Sequence, residues 1–232
     1  MRATAFGDGG GDIGGEHHKL TAYLSLESVM SSSSPPMDDR DGVIWYNGKL
    51  LPWREAKFHV LTHSLHYGNG VFEGLRIYNG KAFKLTEHSQ RLHKSANMLA
   101  YELPYSVAEL DAATRAVIAE NKLESGYVRP IAWRGAEVIG VSAKGTKIHV
   151  AIAAFPWGAY YEQQAIKLCT SRWKRPSPES SPAGSKAAGL YIICTLAKDE
   201  ALVAGFRDAR CSRLQGPPLR SDWGESVSAH QW

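Results

Sequence analysis

The chain has 232 residues, with 27 Lys and Arg against 23 Asp and Glu, a formal charge of +4. So small and dispersed a surplus excludes a charge-driven nucleic-acid binder, and 44% hydrophobic with 10% aromatic residues excludes a disordered or fibrous chain. No apolar run reaches the ~18–20 residues of a membrane span. The three cysteines (Cys169, Cys194, Cys211) are scattered and form no C-x-x-C pair, which argues against a disulfide scaffold and for a reducing, cytoplasmic compartment.

Residues 1–36 carry six glycines, the Ser31–Ser34 run and Pro35–Pro36, a composition that cannot bury a core. They read as a disordered tail or as a mis-called extension ahead of a natural start at Met37. Asn47-Gly48, between the β-rich arms of Val43–Leu51, is a type I′ hairpin signal, and Asn79-Gly80 repeats it within Leu75–Leu85. Thr86 is placed to cap a helix through about Ala100, with Leu92, Ala96 and Leu99 on one face. Ser106-Val-Ala-Glu109 is a capping box opening a second helix through about Asn121, with Leu110, Ala113 and Val117 inward. Strand-like runs follow at Tyr127–Trp133, Lys147–Phe155 and Ile166–Thr170, then a loop at Pro176–Pro182. A helix is expected from Lys186 to about Ala204, stopped by Gly205.

Strands, two helices and more strands make an α+β module. The expected organisation is a small α+β domain at 43–155, an interdomain loop at 156–165, the start of a larger domain at 166–209, and an aberrant tail at 210–232. That tail has adjacent prolines and no apolar periodicity.

Three features invite chemistry. His59, His63 and His66 have an H-x3-H-x2-H spacing that a metal could use, but no carboxylate lies nearby before Glu73, and no metal is expected. Gly68–Gly74 is glycine-rich but has neither P-loop nor dinucleotide-binding order. Lys186 stands among small residues where a loop turns into a helix, with Tyr191 five positions on. A lysine pressed into an apolar pocket loses its proton readily and can condense with a carbonyl, although the same spacing suits a solvated helix lysine.

Seven segments in order narrow the reading. They are Trp45-Tyr-Asn-Gly48, His63-x-x-His-Tyr-Gly68, Val71-Phe-Glu-Gly74, Gln90-Arg-Leu92, Tyr127-Val-Arg-Pro130, Phe155-Pro-Trp-Gly-Ala-Tyr160 and Ser185-Lys-Ala-Ala-Gly189. Together they resemble the branched-chain amino acid aminotransferases, fold-type IV enzymes that use pyridoxal 5′-phosphate. The resemblance runs from about Asp41 to Asp208. It implies a small α/β N-terminal domain followed by the start of a second, barrel-like domain, and a homo-oligomer when the protein is intact. It further implies transfer of an amino group between Leu, Ile or Val and 2-oxoglutarate, so that the partners are a small amino acid and a 2-oxo acid.

By the same resemblance, Lys186 is the catalytic lysine that holds the cofactor and moves the substrate proton. Arg91 grips the cofactor phosphate, a task suited to a guanidinium fork, and Tyr191 meets the ring hydroxyl. Tyr67, Phe72, Tyr127, Trp157 and Tyr160 wall the substrate pocket. Arg129 receives the distal carboxylate of glutamate, with Arg76 assisting. Without the resemblance, the aromatics read as core and Arg91 as helix surface.

Within the same fold, a D-amino acid aminotransferase and an aminodeoxychorismate lyase are alternatives, as is a non-catalytic remnant that only dimerises. The family continues into a larger domain with a glutamate that meets the pyridine nitrogen, and that segment is not legible here. Shifted by one nucleotide, the codons of Arg213–Val227 permit a string similar to it. This suggests a frameshift near Ala209–Cys211, and a chain that folds poorly and transaminates weakly or not at all.

Overall fold

The computed structural model describes residues 35–158 and 165–213. The expected tail beyond Arg213, residues 1–34 of the expected extension, and Tyr160 lie outside the described residues.

Both Asn-Gly dipeptides make the hairpins expected of them. β1 (Val43–Tyr46) folds back on β2 (Lys49–Pro52), and β4 (Leu75–Tyr78) on β5 (Lys81–Ala82). Asn47 and Gly48 have φ of 48° and 91°, and Asn79 and Gly80 have 50° and 72°. Positive φ at both central residues matches the turn's twist to that of the strands. With β3 (Val71–Phe72), β6 (Ser125–Arg134) and β7 (Ile148–Phe155) they form one seven-stranded antiparallel sheet, ordered β2-β1-β7-β6-β4-β5 with β3 also on β6.

β3 and β4 pair with β6 in a single register, Phe72 opposite Ile131 and Leu75 opposite Val128. Between them the Glu73 amide donates to the Pro130 carbonyl at 2.9 Å, but proline has no N–H to return, and the ladder breaks there. The break leaves Glu73 and Gly74 outside both strands.

Period-two alternation gives the sheet two unlike faces. Val71, Leu75, Ile77, Val128, Ala132, Val150, Ile152 and Ala154 point to one side and form the core with Leu92, Ala96, Leu110, Ala113 and Val117 of two helices, α2 (Leu85–Met98) and α3 (Val107–Glu120). The opposite face carries Phe72, Tyr127, Arg129 and Phe155. A short α1 (His63–Tyr67) precedes β3 and ends at Gly68, whose left-handed φ of 64° a β-carbon would penalise.

The capping box forms as expected: Ser106 Oγ accepts from the Glu109 amide, and the Glu109 carboxylate accepts from the Ser106 amide. Thr86 departs from expectation. The residue before α2 is Lys84, and Thr86 lies inside the first turn, where its hydroxyl donates to Asp111 of α3 at 2.6 Å. Ser89 donates to the other Asp111 oxygen at 2.7 Å, so the two hydroxyls tie the helices together instead of capping one.

The second part begins with β8 (Leu168–Arg175), which runs five residues past the expected end. The helix expected from Lys186 starts later: a 3₁₀ turn spans Ala188–Tyr191 and α4 spans Ile192–Val203. Gly205, at φ 79°, ends it as expected. β9 (Asp208–Arg213) pairs in parallel with β8, so an ordered strand crosses the 209/210 boundary read from the sequence.

Candidate active site

Lys186 lies ahead of the helix, in extended chain laid antiparallel along residues 68–72. Its carbonyl accepts from the Phe72 amide (3.2 Å), its amide donates to Ser95 Oγ of α2 (3.0 Å), and Val71 and Ala187 form a β-bridge. Further on, Ala188 donates to the Gly70 carbonyl (2.7 Å) and Gly189 to that of Gly68 (2.9 Å). The backbones meet closely at the last pair, where an added β-carbon on Gly189 would lie 3.0 Å from the Gly68 oxygen. The lysine is thus clamped against the sheet edge by the Phe72 amide at its carbonyl and by the Ser95 hydroxyl at its amide.

From this clamp the side chain enters a cavity of about 390 Å³ lined by Phe72, Tyr127, Arg129, Phe155, Trp157 and Tyr191, with Cys194 and the start of α4 behind. Lys186 Nζ donates to the Tyr191 hydroxyl at 3.1 Å and lies 5.3 Å from the Phe72 ring centre. The Phe72 and Tyr191 rings are 4.6 Å apart. Burial pulls the amine down to about 8, with Glu73 opposing and Arg91, Arg129 and Arg175 reinforcing the fall. The Tyr191 phenol is pushed up to about 12, chiefly by burial, and stays protonated. A neutral amine beside a phenol is a nucleophile and base at near-neutral pH.

Arg129 stands over the rings of Phe72 (4.7 Å) and Tyr127 (5.2 Å). It also borders a second, apolar cavity of about 340 Å³ on the same face, with Ile44, Phe58, Leu65, Ile131 and Trp133. The guanidinium therefore borders both cavities, the first of which also carries Lys186, Lys198, Asp199 and Asp208.

The structure brings together Lys186, Tyr191, Phe72, Tyr127, Arg129 and Trp157. Arg91, on α2, reaches the site from beneath through Glu73, donating from Nε to Oε1 (2.5 Å) and from Nη2 to Oε2 (2.7 Å). Arg76 is turned aside, with Nη1 donating to the Gly158 carbonyl at 2.9 Å and its guanidinium near the Tyr78 ring. Tyr67 is not brought to the Lys186 cavity: it is 41% exposed and packs on the His63 ring at 4.4 Å. Sequence reasoning assigned no role to Glu73, His88 or Phe155. The signal for Glu73 was a carboxylate within the apolar run Val71–Leu75.

The histidine triplet is taken up by hydrogen bonds to backbone groups. His63 Nε2 meets the Gly140 carbonyl, His66 Nε2 the Val60 carbonyl, and His59 Nδ1 accepts from the Leu61 amide. Among the described residues no group of three His, Cys, Asp or Glu could hold a metal, and no helix is long and apolar enough to cross a membrane.

Residues 70–211 match the family described as amino-transferase class IV. The branched-chain-amino-acid aminotransferase of Pseudomonas aeruginosa is 49% identical over 181 residues, covering 75% of this chain and 59% of that protein. Among solved structures, the branched-chain aminotransferase of Thermoproteus uzoniensis with norvaline superposes with a TM-score of 0.73 at 34% identity, covering 76% of this chain and 61% of that one. The T.th. branched-chain amino acid aminotransferase complexed with N-(5′-phosphopyridoxyl)-L-glutamate gives 0.72 at 40% identity, covering 76% and 60%. The chain thus spans about three-fifths of the length of these relatives. Because the matched region takes in the sheet from β3 onward, both helices, the lysine clamp and β9, the chain belongs to the class IV aminotransferase family.

Proposed function

We propose that this chain is the lysine-bearing part of a branched-chain amino acid aminotransferase, transferring an amino group between Leu, Ile or Val and 2-oxoglutarate with pyridoxal 5′-phosphate. The observation that carries the reading is Lys186: an amine drawn down to about 8, in contact with a phenol, at the wall of an aromatic cavity. The donor set fits the cofactor, with an amine for its carbonyl, a phenol for its ring hydroxyl, and the Arg91 guanidinium for its phosphate. When bound, the cofactor supplies the carbonyl and the conjugated ring that spreads charge from the substrate α-carbon.

The protein's own contributions follow from its side chains. Lys186 Nζ, neutral in a useful fraction of molecules near pH 8, attaches the cofactor and accepts or returns the α-proton. Tyr191 donates to or accepts from groups at the same point while remaining a phenol. Phe72, Tyr127 and Trp157 offer an aliphatic side chain a surface from which water is excluded, and Arg129 offers a carboxylate a partner on that surface. The phosphopyridoxyl-glutamate complex of the T.th. relative supports glutamate as one of the two amino donors.

The test is to incubate the purified chain with pyridoxal 5′-phosphate, reduce with borohydride and map the label by peptide mass. Label at Lys186, with glutamate formed from 2-oxoglutarate and L-leucine but not D-alanine, is the expected result. No label at Lys186 overturns the reading.

A further inference from the structure

Two carboxylates are buried among the described residues, Asp111 and Glu73. Asp111 is accounted for by the two hydroxyls that join α2 to α3. Glu73 has no such local purpose. It is 0% exposed, sits at the ladder break opposite Pro130, and points to the same side as Val71 and Leu75, into the core beneath the site.

Its oxygens receive Arg91 at two points, and His88 Nδ1 lies 2.8 Å from Oε2. Because the carboxylate can only accept, that nitrogen carries the hydrogen. Burial pushes the Glu73 carboxyl up, but the hydrogen bonds from Arg91 and His88 outweigh it and hold Glu73 below the usual carboxylate range, ionised. Buried ion pairs are weak contributors to stability, since apolar side chains of the same volume often do as well. A charge placed in an otherwise apolar row therefore asks for another explanation.

That explanation lies on the other side of Glu73. Phe72, its chain neighbour, donates to the Lys186 carbonyl at 3.2 Å, and Ser95, one turn beyond Arg91 on α2, accepts from the Lys186 amide at 3.0 Å, so the same strand and helix hold both the carboxylate and the lysine. From there Glu73 acts on Lys186 as an anion, while Arg91 from α2, Arg129 from β6 and Arg175 from β8 all repel the protonated amine, and Lys198, Asp199 and Asp208 border the far side of its cavity. Tyr191 contacts the amine as a neutral phenol, and Cys194 of α4, its thiol pushed up by burial, adds no charge.

We propose that Glu73 is a positioning residue for this site: its carboxylate fixes the plane and direction of the Arg91 guanidinium and sets a counter-charge beneath Lys186, so that Arg91 serves as an anion grip without stripping the amine of its proton. The Arg91 half rests on the functional reading above; the Lys186 half does not.

The two halves are separable by experiment. Reductive methylation of the purified chain with formaldehyde and cyanoborohydride, followed across pH 6–10 by peptide mass, reports the neutral fraction of Lys186 without any cofactor. Glu73→Gln, close in shape, removes an anion and lowers the half-maximal pH. Methylation of Lys186 at pH 7 then rises about five- to tenfold for a shift of ~1 unit. Arg91→Gln removes a cation and raises the half-maximal pH. Mere loosening would admit water, relieve burial and move both variants upward, so opposite signs separate an electrostatic role from a structural one. If Glu73→Gln stays put or moves up, the inference is overturned. Should that variant fail to fold, Glu73→Met, apolar and of similar volume, is read in its place, and a half-maximal pH that stays put or moves up overturns the inference equally.

The second readout is the preference for pyridoxal 5′-phosphate over pyridoxal in binding, expected to fall about tenfold in Glu73→Gln as Arg91 loses its orientation. An unchanged preference refutes the Arg91 half. A wild-type chain that takes no label at Lys186 defeats the functional reading, while the methylation profiles still decide the role of Glu73.

Discussion

Replacing Gly74 by alanine puts a methyl group where the Tyr127 side chain already is. An added β-carbon would lie 1.8 Å from the Tyr127 hydroxyl oxygen, 2.7 Å from Cζ and 3.4 Å from Cε2. Since unstrained heavy-atom contacts are ~3.5 Å or longer, the ring must retreat by roughly 1.5–2 Å. The space open to it is on the side of the cavity it lines; elsewhere it is packed. Tyr127 is 6% exposed, with Phe155 at 5.8 Å, Trp157 at 6.2 Å and the Arg129 guanidinium 5.2 Å from its ring centre. Overpacking of this kind costs ~1–3 kcal/mol, and the lower half is expected because the ring borders the cavity beside Lys186 and can swing toward it while its strand stays in the ladder. Urea unfolding should show that loss as a lowered midpoint with an unchanged slope, and Trp157 fluorescence should shift in the folded state. Adding Tyr127→Phe to Gly74→Ala removes the atom at 1.8 Å and leaves the ring carbon at 2.7 Å, so it should restore part of the loss. A Gly74→Ala chain within ~0.5 kcal/mol of the parent, or a double variant that regains nothing, would refute the reasoning.

Three further outcomes can be checked by the same unfolding measurements. Leu92, 1% exposed at the centre of the α2–sheet interface, should cost ~2–5 kcal/mol as Leu92→Ala. Ser106→Ala removes the acceptor for the Glu109 amide and the partner of its carboxylate, and should cost ~1 kcal/mol. The Lys186 amine is drawn from an ordinary 10.5 to about 8 in the folded chain, so the unfolded chain binds more protons between those values. Stability relative to Lys186→Met should therefore move in the wild type's favour as pH rises from about 8 to 10.5, and be flat below 8. A difference that falls over that range would mean the amine is not buried as described.

Arg129 carries a consequence for selectivity. It is the charged group that borders both cavities of the open face, with Phe72 and Tyr127 beneath it. A side chain bearing a carboxylate and one that is wholly aliphatic can both be accommodated there only if the first reaches the guanidinium and the second lies on the rings. Under the proposed function, this is the physical basis for pairing a branched-chain amino acid with glutamate in one pocket.

Local chemistry was legible in the sequence wherever a few adjacent residues decide the outcome. Asn47-Gly48 and Asn79-Gly80 turn the chain because two neighbouring residues adopt positive φ. The Ser106 box opens α3 because a hydroxyl, a carboxylate and two amides lie within four positions. Period-3.6 spacing placed Leu92 and Val117 in the core, since burial follows directly from which side of a helix a residue faces. The ordered motifs around Phe72, Arg91, Arg129 and Lys186 carried the resemblance to the family.

What only the tertiary structure decided concerns partners distant in the chain. Thr86 has the chemistry of a cap, but a buried carboxylate 25 residues away takes its hydroxyl. Lys186 lies in extended chain because Phe72, more than a hundred positions earlier, donates to its carbonyl and Ser95 accepts from its amide, and no spacing within Ser185–Gly189 records that. Tyr67 carries the residue type expected of a pocket wall yet packs on His63 instead. The charge on Glu73 became interpretable only when Arg91, His88 and Lys186 were found around it. Propensity and periodicity act over one or two turns of chain, whereas the ionisation of an amine and the direction of a guanidinium depend on every charge and every excluded water within several ångströms, whatever their separation in sequence.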